Sequence, residues 1–486
     1  MKHAEMESDI VIVGCGISGL TAAVSAMEAG ANVTLLERSC KEDRGGNTRW
    51  TEATLRMKNV GEVADDFESH FAENAGHHLD PELIKASGSS YEDWGSIVKA
   101  HPFTDPELIS TFSDEAGPTL EWLQTYGVRF DSMPGYFITT STSRIVPLGG
   151  GLAVVETLAD WIEKNGANIR YETTATSLYM DEGGMVCGIK ARGPEGPLLI
   201  KAPKVILASG GFQGNYEMQA RYIGPRSRYI RPVARGGYYD RGEGIEMALK
   251  VGAAGGGDFT SFHAEPIDPR SGAPEPIVLV FNYGILVNRQ AKRFVDEAPA
   301  SVDATYEAIT REILEQPQGI AYTILDSKIN DVPNWQRSVR TDQQPIMASS
   351  LEELAEKLEL DVQALTDTVE AYNTACIEGP FDPLRPDGLR TEQGYLPSKR
   401  NWARSIDSPP FMAYPIICGN CFTFGGLKVN SKSEVLDGDG RPIQGLYGVG
   451  EVIGMYQGTY TGATSVLRGS VFGRIAGRNA ASKSRR

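Results

Sequence analysis

With 486 residues, 41% of them hydrophobic, the chain has room for a large core and two or three domains. A net charge of −16 argues for solubility and against a nucleic-acid partner, since no basic stripe is present to meet a phosphate backbone. The six cysteines are scattered, which suggests neither a disulfide framework nor an iron–sulfur set and makes a reducing cytoplasm the expected compartment.

In chain order, residues 1–8 are polar and short, so no secretory segment is expected ahead of the first strand. That strand is Asp9-Ile10-Val11-Ile12-Val13, an apolar, β-branched run that reads as a buried parallel strand. Gly14-Cys15-Gly16-Ile17-Ser18-Gly19 follows. Gly14 permits a tight turn, Gly16 lets the backbone approach a pyrophosphate, and Gly19 lets the next helix pack closely on the strand. That helix stops at Gly30. A second strand, Asn32-Val33-Thr34-Leu35-Leu36, ends at Glu37, the expected acidic partner of a ribose 2′-hydroxyl. An acid here favours an unphosphorylated ribose. Arg44-Gly45-Gly46-Asn47-Thr48 is then a glycine turn with side-chain donors, which a simple nicotinamide domain does not need. His77-His78 lies in a polar stretch and reads as a surface loop.

The spacing predicts a helix over 153–162 and strands near 168–171 and 186–190. Residues 204–207 form another apolar run, ending in Ala208-Ser209-Gly210-Gly211, where only glycine permits close approach to a cofactor. From 257 to 421 the pattern is mixed: proline-rich turns over 266–276, a hairpin-like pair at Tyr283-Gly284, a polar loop over 328–344, and helices near 351–358 and 362–376. This region is the expected cap domain, with a substrate cleft where it meets the nucleotide domain. The longest apolar stretch, 277–281, falls far short of the roughly 18 to 20 residues of a membrane span, so no membrane association is expected. Cys418-Gly419-Asn420-Cys421 has redox or metal spacing but no accompanying cysteine or histidine pair. It reads as two inert thiols near the cleft, and no metal site is expected. Gly445-Leu446-Tyr447-Gly448-Val449-Gly450-Glu451 is a second nucleotide-binding signature, whose Glu451 is suited to accept from a ribityl hydroxyl. The final helix, from Thr464-Ser465-Val466-Leu467, would aim its N-terminus at the pyrimidine edge of a flavin, an effect of about 0.3 to 2 kcal/mol.

The expected fold is therefore α/β: a Rossmann-like FAD-binding domain over 1–256 and 422–486, split around an α+β cap over 257–421. The cofactor set comprises Gly14, Gly16, Ile17, Ser18, Gly19, Glu37, Arg38, Arg44, Gly45, Gly46, Asn47, Thr48, Ala175, Ala208, Ser209, Gly210, Gly211, Gly450, Glu451, Thr464, Ser465, Val466 and Leu467.

These motifs, with Gly284-Ile285-Leu286-Val287-Asn288-Arg289, the segment 292–297, Thr423-Phe424-Gly425-Gly426-Leu427 and Gly473-Arg474-Ile475-Ala476-Gly477, resemble the fumarate reductase and succinate dehydrogenase flavoprotein superfamily over nearly the whole chain. Within it the chain is most similar to the tricarballylate dehydrogenase and 3-oxosteroid dehydrogenase branches. The resemblance implies hydride transfer between flavin N5 and a carbon next to a carbonyl or carboxylate. It also implies noncovalent FAD, because Asn47 stands where members that attach the flavin carry histidine.

The departures matter as much. Phe422 stands where fumarate reductases carry a carboxylate-binding histidine, Tyr460 where they carry an arginine, and Ser301 near their proton-donating arginine. A small dicarboxylate is therefore a poor substrate, since an unpaired buried carboxylate costs several kcal/mol. His263 matches a substrate-facing histidine of the cap. By resemblance to the oxosteroid branch, Tyr460 and a backbone amide near Thr464 would polarise a ketone oxygen, worth roughly 3 kcal/mol per donor. The base stays open among Tyr306, Tyr283, Ser301 and His263, and Arg144 and Arg235 remain as possible carboxylate anchors. Nothing suggests a haem motif, so electrons leave through a diffusing acceptor, another protein or dioxygen. The leading function is an FAD-dependent dehydrogenase or desaturase acting on a CH–CH bond beside a carbonyl, in a cyclic ketone or oxo acid. The alternatives are a tricarballylate-type dehydrogenase, a nonredox FAD isomerase or hydratase, and a flavoprotein subunit with iron–sulfur and membrane partners.

Overall fold

The computed structural model describes residues 4–75, 82, 85–86, 89–100, 105–133 and 144–482. The elements that carry the site begin with strand β1 (Ile10–Val13), helix α1 (Ile17–Glu28), strand β2 (Val33–Leu36) and helix α2 (Gly150–Lys164). Strand β3 (Lys204–Leu207), strand β4 (Phe262–Ile267), helix α3 (Val302–Glu315), strand β5 (Phe411–Thr423) and helix α4 (Ser465–Ala481) follow.

One six-stranded sheet runs in the order Glu434–Leu436, Pro442–Gly448, β3, β1, β2, Asn168–Arg170. All its pairings are parallel except at the Glu434–Leu436 edge. β1 and β2 are buried at every residue, which is why they read as continuous apolar runs rather than alternating ones. Helices α1 and α4 pack on each other through glycines spaced four apart. A Cβ at Gly473 would stand 2.1 Å from Thr21 Oγ1, and one at Gly477 2.3 Å from the Ala22 carbonyl oxygen. The helices therefore meet backbone to backbone and in parallel, which brings both first turns to the same end of the sheet.

A second six-stranded sheet is organised by the long strand β5. Its first half pairs with Ile320–Leu325 and Ile346–Ala348, its second half with β4 and Arg231–Pro232. One strand of this sheet thus comes from before Gly257. In the β4–β5 ladder Phe262 lies opposite Thr423 but Ala264 lies opposite Asn420. His263 therefore faces two residues, Cys421 and Phe422, across a bulge.

The hairpin expected at Tyr283-Gly284 is absent: Val280–Tyr283 is a single 3-10 turn. Strand Ile285–Asn288 pairs instead with Ile320–Leu325, beyond α3. The tight turn is one strand later, where Asn288 Oδ1 accepts from the amides of Gln290 and Lys292. The polar loop over 328–344 contains the short turn Trp335–Ser338. A third, four-stranded sheet includes Thr174–Met180 and Gly196–Lys201, two half-exposed strands not anticipated from the sequence. Among the described residues no helix is long and apolar enough to cross a membrane.

Candidate active site

A cavity of about 750 Å³ opens between the carboxyl ends of β1, β2 and β3, the first turns of α1 and α4, and the facing surfaces of β4, α3 and the end of β5. One end is built largely from backbone. Gly14 has φ 109°, and a Cβ there would stand 2.3 Å from the Ala208 carbonyl oxygen, so glycine is required where β1 turns into α1. Gly16, Ile17 and Ser18 line the cavity, whereas Gly19 lies behind the turn, against the Gly14 carbonyl. Glu37 accepts hydrogen bonds from the amides of Cys15 (3.1 Å) and Ser39 (2.8 Å). Burial raises its pKa and those bonds oppose the rise. Arg38 is on the same wall, 2.6 Å from Glu243, and Ala175, Ala208, Ser209, Gly210 and Gly450 line it too.

Gly46, Asn47 and Thr48 face the cavity as expected. Asn47 Nδ2 donates to the Cys421 carbonyl (2.8 Å), and Thr48 Oγ1 accepts from the Ile17 amide (3.2 Å). Arg44 and Gly45 do not face it. The buried Arg44 guanidinium turns to Glu156, Asp160 and Glu163 on α2 and to the Tyr171 hydroxyl (2.9 Å), while Gly45 backs onto Val155. Four charged or polar partners on α2 and beyond outweigh a cavity-facing pose. Gly211 also lies behind the wall, against Glu451 and Thr423. Glu451 lines the cavity, accepting from the Thr423 amide (2.9 Å) and from Gln213 Nε2 (3.3 Å). Ser465 and Val466 line it as well. Leu467 is buried in the core, and Thr464 Oγ1 is taken up by the Tyr456 hydroxyl (2.8 Å).

Sequence reasoning missed Asp240, a buried carboxyl on this wall that accepts from Gln213 Nε2 (2.7 Å). Burial, then Glu451 and Glu37, push its pKa well up. A signal existed: Gly210 is required because a Cβ there would stand 2.3 Å from Asp240 Oδ1. The Ser209 hydroxyl and Arg468 Nε are buried on residues of the wall without a partner. Orphaned donors, helix amides and ribose-suited carboxylates together fit FAD.

The other end is built from side chains. His263 Nε2 lies 2.7 Å from the Tyr306 hydroxyl. The His263 ring centroid is 4.5 Å from that of Tyr460 and 5.3 Å from that of Phe422. Burial, then Arg311, pushes the His263 pKa down to about 3, and burial, then Glu265, pushes that of Tyr306 up, so both are neutral. Glu265 stands 3.8 Å from His263 Nε2, its pKa pushed up to about 8 by burial and then by Glu275.

Tyr460 lies on the wall, but its hydroxyl caps α4. It accepts from the amides of Thr464 (2.8 Å) and Ser465 (2.9 Å) and donates to Ser465 Oγ (3.1 Å). The phenol and amide expected to converge on a substrate oxygen thus converge on each other. Its backbone amide donates to Glu307 Oε2 (3.2 Å), and Glu307 pairs with Arg311 (2.9 Å).

Two proposed bases are elsewhere. Ser301 is buried at the N-cap of α3, off the cavity wall, and the Tyr283 hydroxyl, also off that wall, donates to the Pro383 carbonyl (2.8 Å). Arg235 is exposed and paired with Asp43, whereas Arg144 is on the wall, its pKa lowered by burial and then by Arg56. Arg56, Arg340, Asp303 and Glu307 are among the other charged residues of the lining and were not singled out from the sequence. The two thiols of the Cys418–Cys421 segment part company: Cys421 is on the wall, while Cys418 is buried among Ile230, Phe262 and Leu314. His77-His78 lies outside the described residues.

Residues 9–467 match the FAD binding domain family. The chain belongs to it. FAD is accordingly its cofactor, and the chain is an FAD-dependent oxidoreductase acting on CH–CH groups. It is 29% identical to the fumarate reductase (cytochrome) of Shewanella frigidimarina, over 98% of this chain and 78% of the relative. It is also 29% identical to the NADH:acrylate oxidoreductase of Vibrio harveyi, over 99% of this chain but only 51% of the relative, so it spans about half that protein's length. Among solved structures, the 3-ketosteroid-Δ4-(5α)-dehydrogenase of Rhodococcus jostii, in complex with 4-androstene-3,17-dione, is similar with a TM-score of 0.67. Its identity is 26%, over 99% of this chain and 98% of that one.

Proposed function

We propose that this flavoenzyme adds or removes hydrogen across a carbon–carbon bond beside a carbonyl, in a cyclic ketone or an oxo acid. In this reading residues 1–256 and 422–486 are a Rossmann-like FAD domain split around an α+β cap of residues 257–421. The observation that carries it is the buried Tyr306–His263 pair, 2.7 Å apart on the cap side of the cavity. When bound, FAD supplies the hydride acceptor or donor.

The chain's own residues supply the proton. In desaturation the α-proton of the substrate passes to the Tyr306 oxygen as the phenolic proton passes to His263 Nε2. In reduction the same two protons run back. This requires the His263 tautomer with its proton on Nδ1, so that Nε2 accepts. The relay leaves Tyr306 neutral and His263 protonated, and burial disfavours that imidazolium and so keeps it transient. A carbonyl oxygen that replaces the phenol as acceptor of the Thr464 amide would receive two hydrogen bonds, from Tyr460 and from that amide. The aromatic walls of Phe422 and Tyr460 suit a ring, and androstenedione in the Rhodococcus relative is a ketone of that kind.

The charged lining speaks against a polycarboxylate. Arg340 is held by Glu52 (2.9 Å) and Glu275 (3.2 Å), Arg56 by Asp66, and Arg144 is within electrostatic reach of Asp303 and Asp66. A tricarboxylate would have to displace protein carboxylates from Arg340 and Arg56. The six cysteines, all free, accord with the cytoplasm as compartment.

The test is anaerobic bleaching of the bound flavin against cyclic ketones, oxosteroids, oxo acids, tricarballylate and succinate. Bleaching by a ketone or oxo acid is expected. Fast fumarate reduction with reduced viologen dyes, and no response to any carbonyl compound, would overturn the reading. Turnover without bleaching would assign a nonredox role.

A further inference from the structure

His263, Glu265 and Cys421 present one ligand atom each to a common space on the cavity wall, all within 4.8 Å of one another. The arrangement follows from the sheet. His263 and Glu265 are two apart on β4 and so share its face, and the Ala264–Asn420 pairing sets Cys421 of β5 opposite His263 on that same face, with Phe422 the extra residue of the bulge beside it. We propose that these three side chains form a site for a divalent ion of borderline softness, with Zn²⁺ the fitting example.

Ligand type and geometry both favour it. Imidazole, carboxylate and thiolate are the three donors zinc takes, at about 2.0–2.3 Å, which sets the edge of a tetrahedron at roughly 3.4–3.7 Å. His263 Nε2 and Glu265 Oε1 are already 3.8 Å apart, so that edge needs almost no movement, and Cys421 closes by about 1 Å. Glu265 Oε2, the other oxygen of that carboxyl, is buried without a hydrogen-bond partner, so an ion held by both oxygens would satisfy it as well. Three protein ligands leave the fourth position open toward the cavity, for water.

Charge balances as well. On binding, the Cys421 thiol and the Glu265 carboxyl each release a proton to solvent, and neutral His263 contributes its lone pair. Two anionic ligands and a doubly charged ion leave the site neutral, which removes the penalty that disfavours either anion alone in this wall. The ion would also take His263 Nε2 from the Tyr306 hydroxyl, so occupancy and proton transfer exclude one another.

The experiment uses the FAD-loaded protein, stripped of metals with EDTA and dialysed against CoCl₂ or ZnCl₂. Expected is one ion retained per chain at micromolar concentration, with Co²⁺ giving intense tetrahedral absorption bands at longer wavelength than the flavin. Cys421→Ser and Glu265→Gln should each weaken Zn²⁺ by about 100-fold, the upper end of what loss of a supporting group costs, and abolish the Co²⁺ bands, at unchanged FAD content and circular dichroism. Two variants guard against one failing to fold. Absence of stoichiometric binding, or binding equally tight in both variants, would overturn the proposal. Neither readout uses turnover, so failure here is distinct from failure of the proposed redox activity.

Discussion

The two ends of the cavity are made of different material. The end proposed to hold the nucleotide is made mostly of main chain: the β1–α1 turn, amides at the start of α1, and glycines pressed against neighbouring carbonyls. The reactive end is made of side chains from β4, α3, β5 and the loop before α4. A backbone site is set by local spacing and tolerates varied chemistry elsewhere. A side-chain site depends on which strands meet and in what register, and single substitutions there change the chemistry.

That contrast predicts where the largest effects fall. Tyr306→Phe should slow anaerobic flavin reduction by about 10²- to 10⁴-fold while FAD stays bound, since it removes the proton-transfer hydroxyl at the reactive end. Stopped-flow single turnover is the measurement; a wild-type rate would move the base elsewhere. Tyr460→Phe should cost about 10²-fold in the same assay with substrate affinity little changed, because an oxyanion donor acts on the transition state. If affinity falls and the rate holds, the phenol is only a helix cap.

At the nucleotide end the effects are on affinity. Glu37→Ala should weaken FAD by about 1.5–3 kcal/mol, roughly 10- to 100-fold, through loss of charge-assisted hydrogen bonds. Ultrafiltration of released flavin checks it. Arg44→Met should do the opposite of what its place in the glycine turn suggests: a stability loss of roughly 1–2 kcal/mol, discounted because Glu156 and Asp160 are partly exposed, with FAD affinity unchanged. The smallest effect is pH-dependent. The folded pKa of Asp240 is raised, so the stability its proton carries is full below the unfolded carboxylate range and is lost as pH rises through the folded value. The isosteric Asp240→Asn should therefore melt near wild type at about pH 4 and gain on it as pH rises. Equal melting curves at pH 8 would show Asp240 ionised in the fold.

The same contrast explains what was legible beforehand. Gly14, Gly16, Glu37, Ser209 and Glu451 could be placed from sequence because each is fixed within its own strand–turn–helix unit. Arg44 was misplaced because its partners lie on α2, more than a hundred residues on, and no local pattern announces them. Tyr283 and Ser301 have suitable chemistry, but the Tyr283 hydroxyl is taken up by the Pro383 carbonyl and the α3 N-cap buries Ser301. Cys421 pairs by spacing with Cys418 in sequence, but its neighbours in space are His263 and Glu265, set by the pairing of β4 with β5, which hydrophobic patterning does not encode.

The glycine contact between α1 and α4 also sets a timetable. The first helix of the nucleotide site leaves the ribosome early, but the helix that packs on its backbone comes some 450 residues later. Until α4 has been made, the face of α1 that meets Gly473 and Gly477 stays uncovered and the cavity lacks the wall formed by Ser465, Val466 and Arg468. With the flavin held there as proposed, its loading is coupled to late synthesis. A ribosome-stalled nascent chain halted before Thr464 should take up no FAD, however long it waits.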